Sequence, residues 1–534
     1  MFEGAAIVSD VQRVLIAGTW RASDASGTFQ AANPQTGEKL AEVYPISKWT
    51  DCDAALTAAA EAFQKLRALP RSQIATFLRG MADRLEARTE ELAKTANAET
   101  GYPVKPRLAD VELPRTVGQL RQAATSCEDE SWSMPTIDTK GGIRSRFEAL
   151  GPVAVFGPNN FPFAFGSASG GDFAAAIAAG CPVIAKANTS HPATTRLMAE
   201  EAHAAAVAAG LPTGTVQLIY RTSHADGERL VADPRLGAVA YTGSRNAGLK
   251  LKASADAVGK PIYLELSSVN PVVMLPGALE ERADALVDEF TTSCLMGTGQ
   301  FCTNPGLVLF VEGPKTETFI AAVAKKFEAA PVGALLSSNV AESLAGGVAT
   351  LVKAGAKPVA GAKASEAAGF RYQNTLLTAT AAQFIADPHA LQTECFGNQS
   401  LFVVAKNLGE LVTALGGLEG NLTGCVYSDT KGSDDAAYEQ VAPALRGKVG
   451  RLLNDKMPTG VAVSAAMNHG GPFPATGHPS FTAVGIPAAI HRFAMLACYD
   501  NVREHRLPAS LKNKNPTGKT WRLVDGAWTT GDVS

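Results

Sequence analysis

Between residues 51 and 101 apolar side chains recur at helical spacing, with Ile74, Phe77, Leu78, Met81 and Leu85 separated by arginines and glutamates. That period predicts two amphipathic helices covering a sheet. Pro70 divides them, since proline lacks an amide hydrogen and turns the residue before it away from helical geometry. A different texture begins at Gly151, where the short apolar runs PVAVF, PVIAK, VQLIY and GAVAYTG alternate with alanine-rich stretches of helical length. This alternation predicts parallel strands joined by crossover helices. The texture resumes after Pro271, with VVMLP, GLVLFVE and SLFVVA as strands and DALVDEFTTSCLMGTG as a helix, so a second α/β unit is expected. The closing HRLPASLKNKNPTGKTW is rich in proline and lysine and reads as a surface arm.

Composition narrows the class. With 534 residues, 46% hydrophobic and 19% charged, the chain has enough apolar material for two or three globular domains. A net charge of −3 offers no general field for nucleic acid or an anionic membrane. No apolar run approaches the length of a membrane span; the nearest, 173–184, is broken by Gly180 and Pro182. The first residues carry acids where an export signal needs lysine or arginine, and the 8 cysteines are scattered without a CxxC pair. Both features predict a reducing, cytoplasmic location. The histidines show no metal-ligand spacing, so no metal is expected, and Glu200, Glu201 and Glu281 read as solvated helix charge.

Chemistry concentrates in CLMGTGQFCTNPG, residues 294–306, where Cys302 follows a helix among residues that favour turns. A thiol presented there is a candidate nucleophile, although a cysteine taken blindly is more often a small buried hydrophobe. Gly243 and Gly248, spaced Gly-x-x-x-x-Gly after a strand, suit the approach of a pyrophosphate to a helix N-terminus. By residue type alone, Asn160 reads equally as a turn residue before Pro162, and Glu265 as a strand-end acid.

Taken together, FGPNNFPF at 156–163, LELSSVNP at 264–271 and GQFC at 299–302 resemble the aldehyde dehydrogenase superfamily, in the order Asn160, Glu265, Cys302. PVIAK, the TGS turn at 242–244, TECFG, the HGG at 469–471, IAGTW and NPQTGE extend the resemblance over most of the chain. It implies an α/β aldehyde dehydrogenase-like fold, with a Rossmann-like cofactor domain, an α/β catalytic domain and a β oligomerisation segment. The implied division is 1–135 and 151–272 for cofactor binding, 136–150 with 481–534 for oligomerisation, and 273–480 for catalysis. It further implies Cys302 as nucleophile, Asn160 as oxyanion donor and Glu265 as the base for thioester hydrolysis. In the same way Lys186, Gly243, Ser244, Gly248, Glu394 and Phe396 fall to the cofactor. Thr189 stands where NAD-preferring members often carry Glu, so NADP is expected to be preferred and NAD tolerated, with Arg221 as a further counter-ion. A homodimer or dimer of dimers is expected, through a strand near 493–499 that joins a neighbouring sheet.

GGDFAAAIAAGCPVIAKANTSHPATT, MNHGGPFPATGH and LPASLKNKNPTG resemble a branch containing α-ketoglutaric semialdehyde (2,5-dioxovalerate) dehydrogenases and NADP-dependent fatty aldehyde dehydrogenases. Asn159, Cys395, Asn398 and residues 455–457 depart from the usual text of that branch. A carboxylate substrate asks for an arginine, with Arg144, Arg146, Arg282 and Arg492 available. A fatty aldehyde asks instead for an apolar tunnel, with Phe163, Phe165, Phe301 and Phe473 as candidates. Two rivals are a CoA-acylating relative and a catalytically silent nucleotide-binding paralogue. CoA-acylating members commonly lack the general-base glutamate, and a silent paralogue is expected to lose Cys302 or Glu265; this chain has both residues.

Overall fold

The computed structural model describes residues 10–533. The opening stretch read for an export signal therefore lies in large part outside the described residues.

The runs predicted as parallel strands form the centre of a seven-stranded sheet. Its order is Ile262–Glu265, Ala238–Thr242, Val153–Phe156, Val183–Lys186 and Val216–Ile219, all parallel, with the Val14–Ile16 and Thr19–Arg21 hairpin completing one edge. The first three of these strands in chain order are almost wholly apolar because helices cover both faces of the sheet. The 51–101 region makes three helices rather than two: Trp49–Leu66, Arg71–Ala87 and Thr89–Thr100. Arg88 leaves helical geometry at φ −107° and ψ 20°, a break without proline or glycine and so without a sequence signal.

A second seven-stranded sheet carries the other α/β unit. Lys357–Ala360 runs antiparallel at its edge; Thr375–Thr380, Gln399–Ala405, Leu307–Val311, Val272–Met274, Asn421–Tyr427 and Val449–Asn454 follow in parallel. A third sheet joins Ala494–Asp500, Ile143–Ala149, Thr136–Asp138, Arg522–Val524 and Ala527–Thr529. The closing arm is less superficial than its composition predicts. Leu507, Ser510, Leu511, Asn515 and Thr520 are buried, and Asn515 donates to the carbonyls of Thr520 and Thr530.

The loop after Val153–Phe156 is held from beneath by Glu112, whose side chain is fully buried. Its Oε1 accepts from the backbone amides of Phe163 and Ala164 at 2.9 and 3.1 Å, and its Oε2 lies 2.8 Å from Nη1 of Arg107. Arg107 in turn donates through Nη2 to the carbonyl of Asn160 and lies against the rings of Tyr102, Phe161 and Phe301. Glu112→Ala would strand two amides and a guanidinium away from water, and is expected to cost about 3 kcal/mol in chemical denaturation.

Candidate functional site

Three loops converge where the two large sheets meet. Asn160 enters on the loop held by Glu112, Glu265 ends strand Ile262–Glu265, and Cys302 follows the helical segment Met296–Gly299. Asn160 is buried and its Nδ2 donates to the carbonyl of Gln300, two residues before the thiol, at 3.0 Å. One of its two amide hydrogens is used in that bond.

A fourth segment supplies a group to which the sequence reading gave no chemical role. Residues 475–477 run beside the glutamate strand: Leu266 donates to Ala475, Gly477 donates to Leu264, and Glu265 bridges to Thr476. This fixes His469 between the acid and the thiol. Its Nε2 lies 2.8 Å from Oε1 of Glu265 and 3.4 Å from Sγ of Cys302, and the reactive atoms of all three lie within 4.8 Å of one another. The close passage requires glycine, since a Cβ on Gly450 would stand 1.7 Å from the Gly470 carbonyl oxygen. The HGG text was the available signal, but it identified a family pattern without disclosing what the imidazole touches.

The cysteine turn is anchored by a buried polar cluster that also had no sequence signal. Nδ2 of Asn270 donates to the carbonyls of Cys302 and Asn304, both at 2.9 Å, while Oδ1 of Asn421 accepts from the amides of Val269 and Asn270. Loss of water holds the Cys302 thiol well above the ordinary thiol range, and the Glu265 charge raises it further; Arg115 opposes both. Glu265 has one occupied and one open oxygen: Oε2 is buried without a hydrogen-bond partner. Cys294, eight residues before the candidate nucleophile, is buried and its thiol is pushed up to about 12 by burial, as befits packing. The trio offers metal-type donors, although the chain was expected to need no metal; the same short spacings serve proton exchange.

Of the expected cofactor residues, Lys186, Thr189, Gly243, Ser244 and Gly248 lie at or after the carboxyl ends of first-sheet strands, while Glu394 and Phe396 come from the loop before strand Gln399–Ala405 of the second. Ser244 caps the helix Arg245–Asp256 by position, yet its exposed side chain accepts no capping hydrogen bond, leaving the helix N-terminus open. At Gly248 a Cβ would meet Leu266 at 2.5 Å and Tyr241 at 2.9 Å, so only glycine lets this helix pack so close to the strand. Lys186 ends its strand with its ammonium depressed to about 8 by burial and then by Arg221, which is itself exposed. Thr189 is also exposed, leaving room beside both cations. Glu394 accepts from the amide of Ser268 at 3.2 Å, and burial lifts its carboxyl to about 7; Phe396 is half-buried two residues on. An uncapped helix end, a glycine cradle and a cationic strand end fit a dinucleotide phosphate and ribose.

The aromatic candidates separate. Phe301 packs edge-on to Phe161 at 5.3 Å, and Phe165 to Phe161 at the same distance, beside His469. Phe163 is fully buried beneath them, whereas Phe473 is 58% exposed and lies against Arg245 on the cofactor side, apart from this cluster. The four arginines available for a substrate carboxylate are engaged elsewhere. Arg144 meets Leu511 and Asn513, Arg146 pairs with Glu130 and Glu148, Arg282 with Glu281 and Asp455, and Arg492 with Asp172.

Comparisons with known proteins agree with this architecture. The sequence model of the aldehyde dehydrogenase family matches residues 20–471. The chain is 38% identical over 524 residues to alpha-ketoglutaric semialdehyde dehydrogenase 2 of Azospirillum brasilense, covering 96% of this chain and 98% of that one. It is 35% identical over 514 residues to the alpha-ketoglutaric semialdehyde dehydrogenase of Acinetobacter baylyi, covering 94% and 96% respectively. The NAD+ complex of an aldehyde dehydrogenase from Bacillus cereus superposes with a TM-score of 0.78 at 22% identity, over 92% of this chain and 96% of that one. With the predicted order of asparagine, glutamate and cysteine now gathered at one niche, the chain belongs to the aldehyde dehydrogenase family.

Proposed function

We propose that this chain oxidises α-ketoglutaric semialdehyde (2,5-dioxovalerate) to 2-oxoglutarate, with NADP preferred over NAD. The observation that carries the reading is the meeting of Cys302, His469 and Glu265 through one imidazole nitrogen. The likeness to two semialdehyde dehydrogenases over nearly their whole length supports the substrate class.

In the resting site the thiol keeps its proton, because a thiolate beside the Glu265 carboxylate in a water-poor niche is costly. As sulfur attacks the aldehyde carbon its proton can pass to the Glu265 carboxylate, whose reacting atom lies with those of Cys302 and His469 within 4.8 Å. Glu265 sheds that proton to solvent before hydrolysis, while His469 donates through Nε2 to Oε1 and holds the carboxylate in place. The free hydrogen of the Asn160 amide and the backbone amide of Cys302 serve the oxyanion of the thiohemiacetal. Lys186, Ser244 and Glu394 would hold a nicotinamide nucleotide, which when bound would supply the two-electron acceptor for the hydride of this adduct. The thioester left on Cys302 is then attacked by water, whose proton goes to the open Oε2 of Glu265. Release of the acid returns the thiol. Glu265 thus favours hydrolysis over transfer to CoA.

Among the described residues no helix is long and apolar enough to cross a membrane. We assign the third sheet to association between copies of the chain, since its edge strand Ala494–Asp500 leaves Met495 and Leu496 more than half exposed. Gel filtration is expected to give the mass of two or four chains.

Cys302→Ala is expected to lower aldehyde-dependent nucleotide reduction at 340 nm by about 10⁴-fold or more, and Asn160→Ala by about 10²- to 10³-fold. Glu265→Gln should retain a first burst of reduced nucleotide and then turn over slowly. Because the Glu265 charge raises the Cys302 thiol, the same variant should shift the pH midpoint of iodoacetamide alkylation downward; an unchanged or upward shift would contradict that coupling. Arg221→Gln should weaken NADP binding about tenfold and leave NAD binding nearly unchanged, as measured by calorimetry. Wild-type NADP affinity should fall as pH rises through about 8, where unliganded Lys186 loses its charge.

A further inference from the structure

Arg115 sits in the helix Leu113–Asp129, three residues after the glutamate that supports the Asn160 loop. It forms no hydrogen bond or ion pair with any of the described residues, and its Nε and Nη2 are buried without a partner. An orphaned buried donor costs about 1–3 kcal/mol, and more when charged, so two on one guanidinium call for a reason. Two rings lie over it, Phe165 at 5.0 Å and Phe161 at 5.8 Å from the guanidinium carbon, and the buried Glu112 carboxylate is the charge that acts on it most. Those rings lead directly to the reacting groups: Phe165 lies against His469, which contacts Cys302. The guanidinium is also near enough to Cys302 and Glu265 to feel their charges. Arg451 approaches the same sulfur from strand Val449–Asn454, but the carbonyls of Pro458 and Gly460 already occupy its Nη2.

We propose that Arg115 recognises the terminal carboxylate of the substrate and so selects ω-carboxylate aldehydes over neutral ones. This rests on the aldehyde-oxidising role of Cys302. Nε and Nη2 form the side-on fork of a guanidinium, which matches the two oxygens of a carboxylate. The substrate's anionic end supplies the partner that this fork lacks. Its aldehyde end then points past Phe165 to Cys302. A neutral aldehyde leaves the two donors unsatisfied, which is a penalty as well as a missing attraction.

The test compares wild type with Arg115→Met, which keeps the bulk and removes the charge, and with Arg115→Lys. Substrates are 2,5-dioxovalerate, succinic semialdehyde, glutaric semialdehyde and the neutral five-carbon pentanal, each with NADP at saturation. Arg115→Met is expected to lower kcat/KM for the acid aldehydes about 100-fold more than for pentanal, chiefly through KM, the smaller loss common to all substrates reporting the help that its charge gives the Cys302 thiolate. Arg115→Lys should recover about a tenth of the lost efficiency, because it restores the charge without the fork. Equal losses for acids and pentanal would make Arg115 merely structural, and unchanged acid kinetics would remove it from recognition; either result overturns the proposal. If dioxovalerate is a poor substrate but the other acids are preferred to pentanal and depend on Arg115, the named substrate fails and the carboxylate site stands. Calorimetric binding of 2-oxoglutarate, expected to be lost in Arg115→Met, reads the site without turnover.

Discussion

Placing a thiol, an imidazole and a carboxylate within 4.8 Å of one another in a niche with little water is the constraint on which this molecule depends. Each charge is hard to form alone there, so the groups depend on one another to hold or pass a proton. The thiol is therefore held neutral at rest, and the carboxylate keeps one oxygen on His469 and the other open. A nucleophile that appears only when its proton has somewhere to go is protected from indiscriminate reaction and still ready beside an aldehyde.

That niche needs support from several parts of the chain. Glu112 and Arg107 hold the asparagine loop, Asn270 and Asn421 hold the cysteine turn, and the backbone of residues 475–477 pins the histidine segment to the glutamate strand. All are buried polar interactions, whose energetic value lies in the cost of breaking them as much as in their net gain. The two parallel sheets make the arrangement feasible. Their strand ends deliver loops to one crevice, the place where ligands of open α/β sheets bind.

Arg115 extends the same logic to the substrate. Other cations near Cys302 also carry a buried, partnerless nitrogen, Nε of Arg107 and of Arg451, but those side chains are held by hydrogen bonds through their other nitrogens, whereas Arg115 has none. Phe165 lies between Arg115 and His469, so a carboxylate held at the arginine as we propose would have an apolar side chain along its way to sulfur.

Much of the sheet layout was legible in the sequence because fully buried strands leave unbroken apolar runs, as PVAVF and VQLIY do. Cys302, Asn160 and Glu265 were legible through ordered motifs, and Gly248 because close helix–strand packing tolerates no Cβ. The break at Arg88 was not, since its residues carry no breaker, and the burial of the closing arm was hidden by its polar composition. His469, Asn270, Glu112 and Arg115 became interpretable only in three dimensions. Their significance lies in partners distant along the chain, Glu265 for His469 and Cys302 for Asn270, or in the lack of any, as at Arg115. Local periodicity and spacing determine which elements form and which motifs they carry. Which buried donor meets which acceptor is decided by how the loops pack, because hydrogen bonding acts over a few ångströms in space, whatever the separation in sequence.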